Sequence, residues 1–235
     1  MKNLIILILL FAGITACSDS KGTLTVNGNI KGLKQGTVYL QKLVDTTIVN
    51  VDSIKIDGEP VFKLTTPLET PEILYLYLDI KDGVKYDDRI QFFAEDTIIN
   101  IETDLEKFEE NAQITGSKNQ DILNIYETNK KPLNQVYTKL VQRSMQLNAM
   151  EDVSQEKIDL LTTAYDKYLR KKVLYAINYA QLHKDYEVSP YILVKDAFDA
   201  KAELLDSAYQ MMPKKIQTSR YGKQLSELIK TNKEL

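Results

Sequence analysis

Along this chain the spacing of apolar residues changes once, near residue 116. Before that point apolar and polar positions alternate, the period of a strand with one buried face. Leu24 and Val26 share a face of a strand running to Ile30, and Thr37-Val38-Tyr39-Leu40 resumes after Gly32 and Gly36. Val49, Val51, Ile54 and Ile56 mark a third strand, and Asp57-Gly58 then predicts a tight hairpin turn into Val61-Phe62-Lys63-Leu64. Pro60 fits only the start or the edge of that return strand. The continuous apolar run Ile73 to Leu78 predicts a central strand, with a turn at Asp82-Gly83. Ile90 to Ala94 and Thr97 to Ile101 read as the last pair, joined through Glu95-Asp96, and Ile114-Thr115 as a short extra strand.

After Gly116 the apolar residues fall every third or fourth position: Ile122, Ile125, Tyr126, Leu133, Val136, Tyr137, Leu140 and Leu147. Ser117 can cap the start of this helix. Pro132 removes a backbone donor inside it and predicts a kink or break near Lys131. A second helix starts at Ser154 and carries its apolar face through Ile158, Leu161, Tyr165, Leu169, Val173, Ile177 and Ala180. Ser189-Pro190 opens a third, which Met211-Met212-Pro213 ends, and a last one spans about Ser219 to Lys230. The expected fold is α+β: an N-terminal antiparallel β-sandwich or barrel-like domain over 23–116, then a C-terminal helical bundle over 117–235.

The first residues follow neither period. Lys2 precedes the apolar run Leu4 to Phe11, and Gly13-Ile14-Thr15-Ala16-Cys17 closes it. The run is too short to span a bilayer, and its flanks are those of an export signal. Ile-Thr-Ala-Cys resembles a bacterial lipobox. That resemblance implies a signal peptide over 1–16, a lipidated Cys17, and a tether over 17–22. Multiple acyl chains on one residue give stable anchoring. The expected location is therefore the outer membrane, with the periplasmic face favoured over the cell surface because only Asp19 supplies an acid after the Cys.

Composition narrows the chemistry. Net charge is −3 with no basic block, which argues against nucleic acid as a partner. Cys17 is the single cysteine, so the chain has neither an internal disulfide nor a CxxC pair.

Beyond the signal, Val26-x-Gly28-x-Ile30-x-Gly32-Leu33-x-x-Gly36-x-Val38-Tyr39-Leu40, then Val51-Asp52-Ser53 and Asp57-Gly58, resemble an N-terminal domain of unknown function found in exported lipoproteins of the Bacteroidota. Ile114-Thr115-Gly116-Ser117-Lys118-Asn119 resembles that family's link into helices. His183 with Ser189-Pro190-Tyr191-Ile192-Leu193, and Ser219-Arg220-Tyr221-Gly222, resemble its helical segment. In many such proteins a thioredoxin-like domain follows and makes a thiol–disulfide oxidoreductase. The resemblance implies no redox activity for these residues, because the catalytic cysteines are absent. It does imply an alternative role, an accessory to thiol–disulfide chemistry acting through a separate thioredoxin-fold partner that meets the end near Leu235.

Candidate chemistry in the remaining residues is sparse. One His and no thiol beyond Cys17 exclude a typical zinc site. His183, near the end of the second helix, fits a cation beside the helix C-terminus. Asp82, Asp87 and Asp88 offer hard oxygens around Gly83, but at no calcium-loop spacing. Glu95-Asp96 and Glu109-Glu110 would serve as acid–base pairs, as in glycoside hydrolysis, only across a cleft. Gly28, Gly32 and Gly36 lack the helix and Lys of a phosphate loop. Tyr165, Tyr168, Tyr175 and Tyr179 form a helical stripe, either a packing seam or a surface for a partner or ligand. These observations predict a non-catalytic, membrane-anchored binding or accessory module of the cell envelope, with no cofactor and an unspecified ligand. A cryptic enzyme using carboxylates is the remaining alternative.

Overall fold

The computed structural model describes residues 22–80 and 89–234. Cys17, Asp82-Gly83, Asp87 and Asp88 lie outside the described residues. Strands β1 (Gly22–Lys31), β4 (Val61–Leu68), β7 (Ile98–Asp104) and β8 (Gln113–Thr115) make one sheet in the order β4-β1-β7-β8. Strands β2 (Gln35–Val44), β3 (Thr47–Asp57), β5 (Glu72–Asp79) and β6 (Arg89–Ala94) make the other, β3-β2-β5-β6. All pairs are antiparallel except β1 with β7, which run parallel. The period-two pattern works as the sequence predicts. Leu24, Val26 and Ile30 of β1 meet Val38 and Leu40 of β2, Leu74, Leu76 and Leu78 of β5, and Ile99 and Ile101 of β7 in one dry core.

Two sequence expectations are corrected here. Ile90–Ala94 and Ile98–Asp104 do not pair: β6 belongs to one sheet and β7 to the other. Asp57-Gly58 likewise turns a corner between sheets rather than closing a ladder, with Gly58 at φ +109. At that corner the Thr65 N–H donates to Asp52 Oδ2 at 2.7 Å, joining the two sheet edges through a side chain. Alternation fixes which face a strand buries, and both sheets bury theirs in the same core, so it cannot tell which sheet a strand joins.

Helices α1 (Lys118–Asn148), α2 (Gln155–Leu182), α3 (Val188–Asp196), α4 (Ala202–Gln210), α5 (Lys214–Gln217) and α6 (Arg220–Lys233) follow. Ser117 caps α1 as expected, accepting from the Gln120 N–H at 3.0 Å. Of the kink or break expected near Lys131, the break does not occur: α1 continues as helix through Pro132. The proline costs the bond that the Thr128 carbonyl would accept, and Pro132 is exposed where water can satisfy that oxygen. The predicted third helix divides in two. Asn232 of α6 donates its amide to the carbonyls of Phe198 (2.8 Å) and Ala200 (2.9 Å), holding a non-helical stretch between α3 and α4.

The helical layer rests on the outer face of β5 and β6. Ile73 and Phe93 point away from the sandwich core and join Tyr126, Ile177, Ile192, Leu205, Tyr221 and Leu225 in a second core. Polar bonds pin the same contact. The Ile73 N–H donates to Tyr221 Oη at 2.9 Å and the Phe93 N–H to Gln120 Oε1 at 2.6 Å. Arg220 reaches back to the buried Glu72 at 2.6 Å and to the Leu43 carbonyl at 3.1 Å. Among the described residues no helix is long and apolar enough to cross a membrane.

Candidate interaction surface

The acids singled out in the sequence are occupied structurally. Glu95 accepts from Ser117 Oγ at 2.5 Å and from the Asn119 N–H at 2.7 Å, so a strand-end carboxylate anchors the first turn of α1. Asp96 accepts from the Thr23 N–H at 2.8 Å, and Glu109 from the Arg89 N–H at 2.7 Å. Glu110 pairs with Lys107 at 3.8 Å. Glu95 and Asp96 line a concavity with Glu69 and Glu187, and Glu110 lines another with Glu102 and Asp104. Among the described residues no cluster of three or more His, Cys, Asp and Glu is placed to hold a metal ion.

His183 is the C-cap of α2, its N–H bonded to the Tyr179 and Ala180 carbonyls and its ring 4.5 Å from that of Tyr179. Burial, and then Lys118, push its pKa below the usual histidine value. The neutral form is therefore favoured, whereas its position at a helix end had predicted a cation.

An ionic cluster, buried at Lys130 and open to water at Lys195, locks α1 to α3. Lys130 lies 2.7 Å from Asp196 and 2.9 Å from Glu127, and Lys195 is 3.0 Å from Glu127. The hydroxyl of the fully buried Tyr126 donates to Asp196 Oδ2 at 2.8 Å. Burial, and then the Asp196 charge, raise the Tyr126 pKa far above the ordinary phenol range. That phenol is a fixed donor, not a titrating group. Every charge in the cluster has a partner of opposite sign, which is what a structural cluster needs.

The tyrosine stripe splits at about Lys172. Its C-terminal half is internal: Tyr175 stacks on Tyr126 at 5.1 Å, and Tyr179 packs at 5.1 Å on the same ring while donating to the Ile122 carbonyl at 2.8 Å. Its N-terminal half lies beyond the second core. Tyr165 and Tyr168 meet Tyr137 of α1 at 6.5 and 5.4 Å, and burial raises the Tyr168 pKa. From about Lys131 onward, α1 and the first half of α2 form a two-helix arm whose tyrosines meet across the hairpin.

Heptad spacing builds that arm. Leu133, Tyr137, Leu140, Ser144 and Leu147 follow one another by four and three on α1. Ile158, Leu161, Tyr165 and Tyr168 do the same, by three and four, on α2. Yet only Leu140, Leu147 and Tyr168 are buried there. Tyr137, Tyr165 and Ile158 keep about two-fifths of their surface in water, and Met145 keeps 66%. Tyr137 and Met145 were not in the sequence-predicted surface, although the four–three spacing of α1 signals a seam at Tyr137. The flank away from Met145 is basic: Lys139, Arg143 and Lys157 line a shallow groove with Met150 near the hairpin tip.

No curated protein matches the chain. Residues 24–123, from the first strand of the sandwich to the second turn of α1, match the family described as a domain of unknown function, DUF4369.

Proposed function

We propose that this protein is a non-catalytic module of the cell envelope, tethered through lipid on Cys17, that presents the α1–α2 arm to an envelope partner. The lipobox resemblance at Ile14-Thr15-Ala16-Cys17 supports the anchor. The observation that carries the binding role is the arm, where Val136, Met145, Ile158, Leu160 and Tyr165 are exposed among the described residues of a two-helix element. Ordinary packing accounts for Tyr175 and Tyr179, and it leaves these arm residues unexplained. The likeness to the N-terminal domain of Bacteroidota lipoproteins, at the strand and turn residues given above, is consistent with an exported, anchored chain.

The test is one experiment with two readouts. The full chain is expressed in a diderm bacterium with radiolabelled palmitate, and membranes are captured through an affinity tag. Label on the wild type and none on Cys17→Ala supports the anchor. An envelope protein that co-purifies with the wild type, and is lost from Val136→Glu/Leu160→Glu, supports the arm as the binding element. Equal label on both chains overturns the anchor. A partner retained in full by the arm variant overturns the assignment of the arm.

A further inference from the structure

We infer that one face of the arm is a self-association surface, so that two copies of this chain pair arm to arm in a four-helix bundle. The inference rests on the reading that the arm is an interaction element, and it names the occupant of one of its two faces.

At 100° per residue, Tyr137, Val141 and Met145 succeed one another along one flank of α1. Ile158, Tyr165 and Leu169 do so along α2. In an antiparallel hairpin these two flanks lie on the same side, continuous with the Tyr137–Tyr165 contact at 6.5 Å. The result is an apolar face, with Met145 66% and Ile158 42% exposed. Bundle helices bury an apolar stripe of this breadth, wider than a two-helix seam alone can cover.

Charge selects this face for a second copy and rejects the other. The opposite side carries Lys139 and Arg143 on α1 with Lys157 and Lys171 on α2, and two such faces would repel. Along the apolar face, α1 is rimmed by Lys131, Asn134, Thr138 and Gln142, and α2 by Asp159, Asp166 and Arg170. A two-fold axis parallel to the arms sets the α1 rim of one copy against the α2 rim of the other. Acids then meet amides and a hydroxyl rather than acids. The size is also sufficient. Eighteen helical residues, 131–148, run about 27 Å, and two helices about 10 Å thick present roughly 500 Å² of flat face per copy. Pairing therefore removes about 1,000 Å² or more in total, the lower bound for a specific interface.

The test uses the full chain in its own membranes. Thr162 lies between Ile158 and Tyr165 on α2, and the two α2 helices sit diagonally across the proposed axis, about 11–14 Å apart given the usual 8–10 Å between packed neighbours. With Cys17 lipidated, Thr162→Cys supplies the one free thiol. A bismaleimide of about 10–13 Å span is expected to convert Thr162→Cys chains to a species of twice the mass on a denaturing gel. Lys167→Cys, on the outer side, is expected to stay single.

Two charge pairs in the Thr162→Cys background then separate the faces. Met145→Glu/Ile158→Glu should weaken pairing by roughly a hundredfold or more by placing carboxylates in an apolar contact. Val136→Glu/Leu160→Glu should leave cross-linking unchanged. All four substituted positions are exposed, so each folded state is expected to survive, as far-UV circular dichroism will check. Absence of the cross-linked species from Thr162→Cys, or equal loss with both charge pairs, overturns the inference. Cross-linking of the wild type through Cys17 would instead show a free thiol there and refute the lipid anchor alone.

Discussion

Tyr221→Phe isolates the bond that fastens the helical layer to the sandwich. The Tyr221 ring packs at 5.0 Å against Tyr191 and 5.8 Å against Phe93, and the substitution keeps both contacts. It removes only the hydroxyl that accepts the Ile73 N–H at 2.9 Å. Ile73 and Tyr221 are both buried, so water cannot replace the lost acceptor. An orphaned buried donor costs about 1–3 kcal/mol. For a chain of this size that corresponds to a fall in Tm of roughly 2–12 °C, at about 2–4 °C per kcal/mol. The assay is urea denaturation followed both by far-UV circular dichroism and by tyrosine fluorescence, with Tyr165→Phe as the control. The Tyr165 ring is on the arm and two-fifths exposed, so its control should move stability by less than about 0.5 kcal/mol. The two probes should shift together, because Ile73 and Phe93 belong to a strand layer and a helical core at once. An unchanged midpoint for Tyr221→Phe, or a shift no larger than the control's, would refute the claim that this bond joins the layers.

Gly116 sits at φ +99 with its would-be Cβ overlapping the Ile98 carbonyl oxygen, so Gly116→Ala should destabilise by more than about 1 kcal/mol in the same denaturation assay. His183 predicts a pH dependence. Its folded pKa lies below the unfolded value near 6.5, so the unfolded chain binds more protons once pH falls through that value. Its contribution to stability is therefore complete above pH 6.5 and declines as pH falls toward the folded pKa. Thermal melts at pH 7.5 and 5.5 should show a larger loss for the wild type than for His183→Gln; equal losses would mean His183 does not titrate this way.

The elements were largely legible because burial imposes a period, and the period changes where strands give way to helices. Which strands pair was not. β6 and β7 are consecutive, alternate correctly and sit in opposite sheets, since both sheets bury one face in the same core. The break between α3 and α4 has a distant cause, the Asn232 amide in α6, which no local window contains. For the candidate surface, spacing placed Tyr165, Tyr168, Tyr175 and Tyr179 on one stripe. What lies against each half depends on α1: Tyr126 covers Tyr175 and Tyr179, whereas Tyr137 meets Tyr165 and Tyr168 outside the core. A helical period gives a face, and only tertiary structure says whether that face is occupied.

The Glu95–Asp96 corner has a mechanical consequence. Asp96 holds the N–H of Thr23, one residue after the described chain begins, while Glu95 holds the first turn of α1. The start of β1 and the start of α1, the helix that carries the arm, are thus clamped by adjacent side chains. From that shared pivot α1 extends 31 residues, about 46 Å of helix. The five residues from Cys17 to Lys21 reach at most about 17 Å when fully drawn out. Were Cys17 held in a lipid leaflet, as proposed, α1 would be a boom longer than its mooring line. Tilting the sandwich on such an anchor by a few degrees would sweep the arm's tip across several ångströms, so the orientation of the sandwich at the membrane would set where the arm's surfaces are offered.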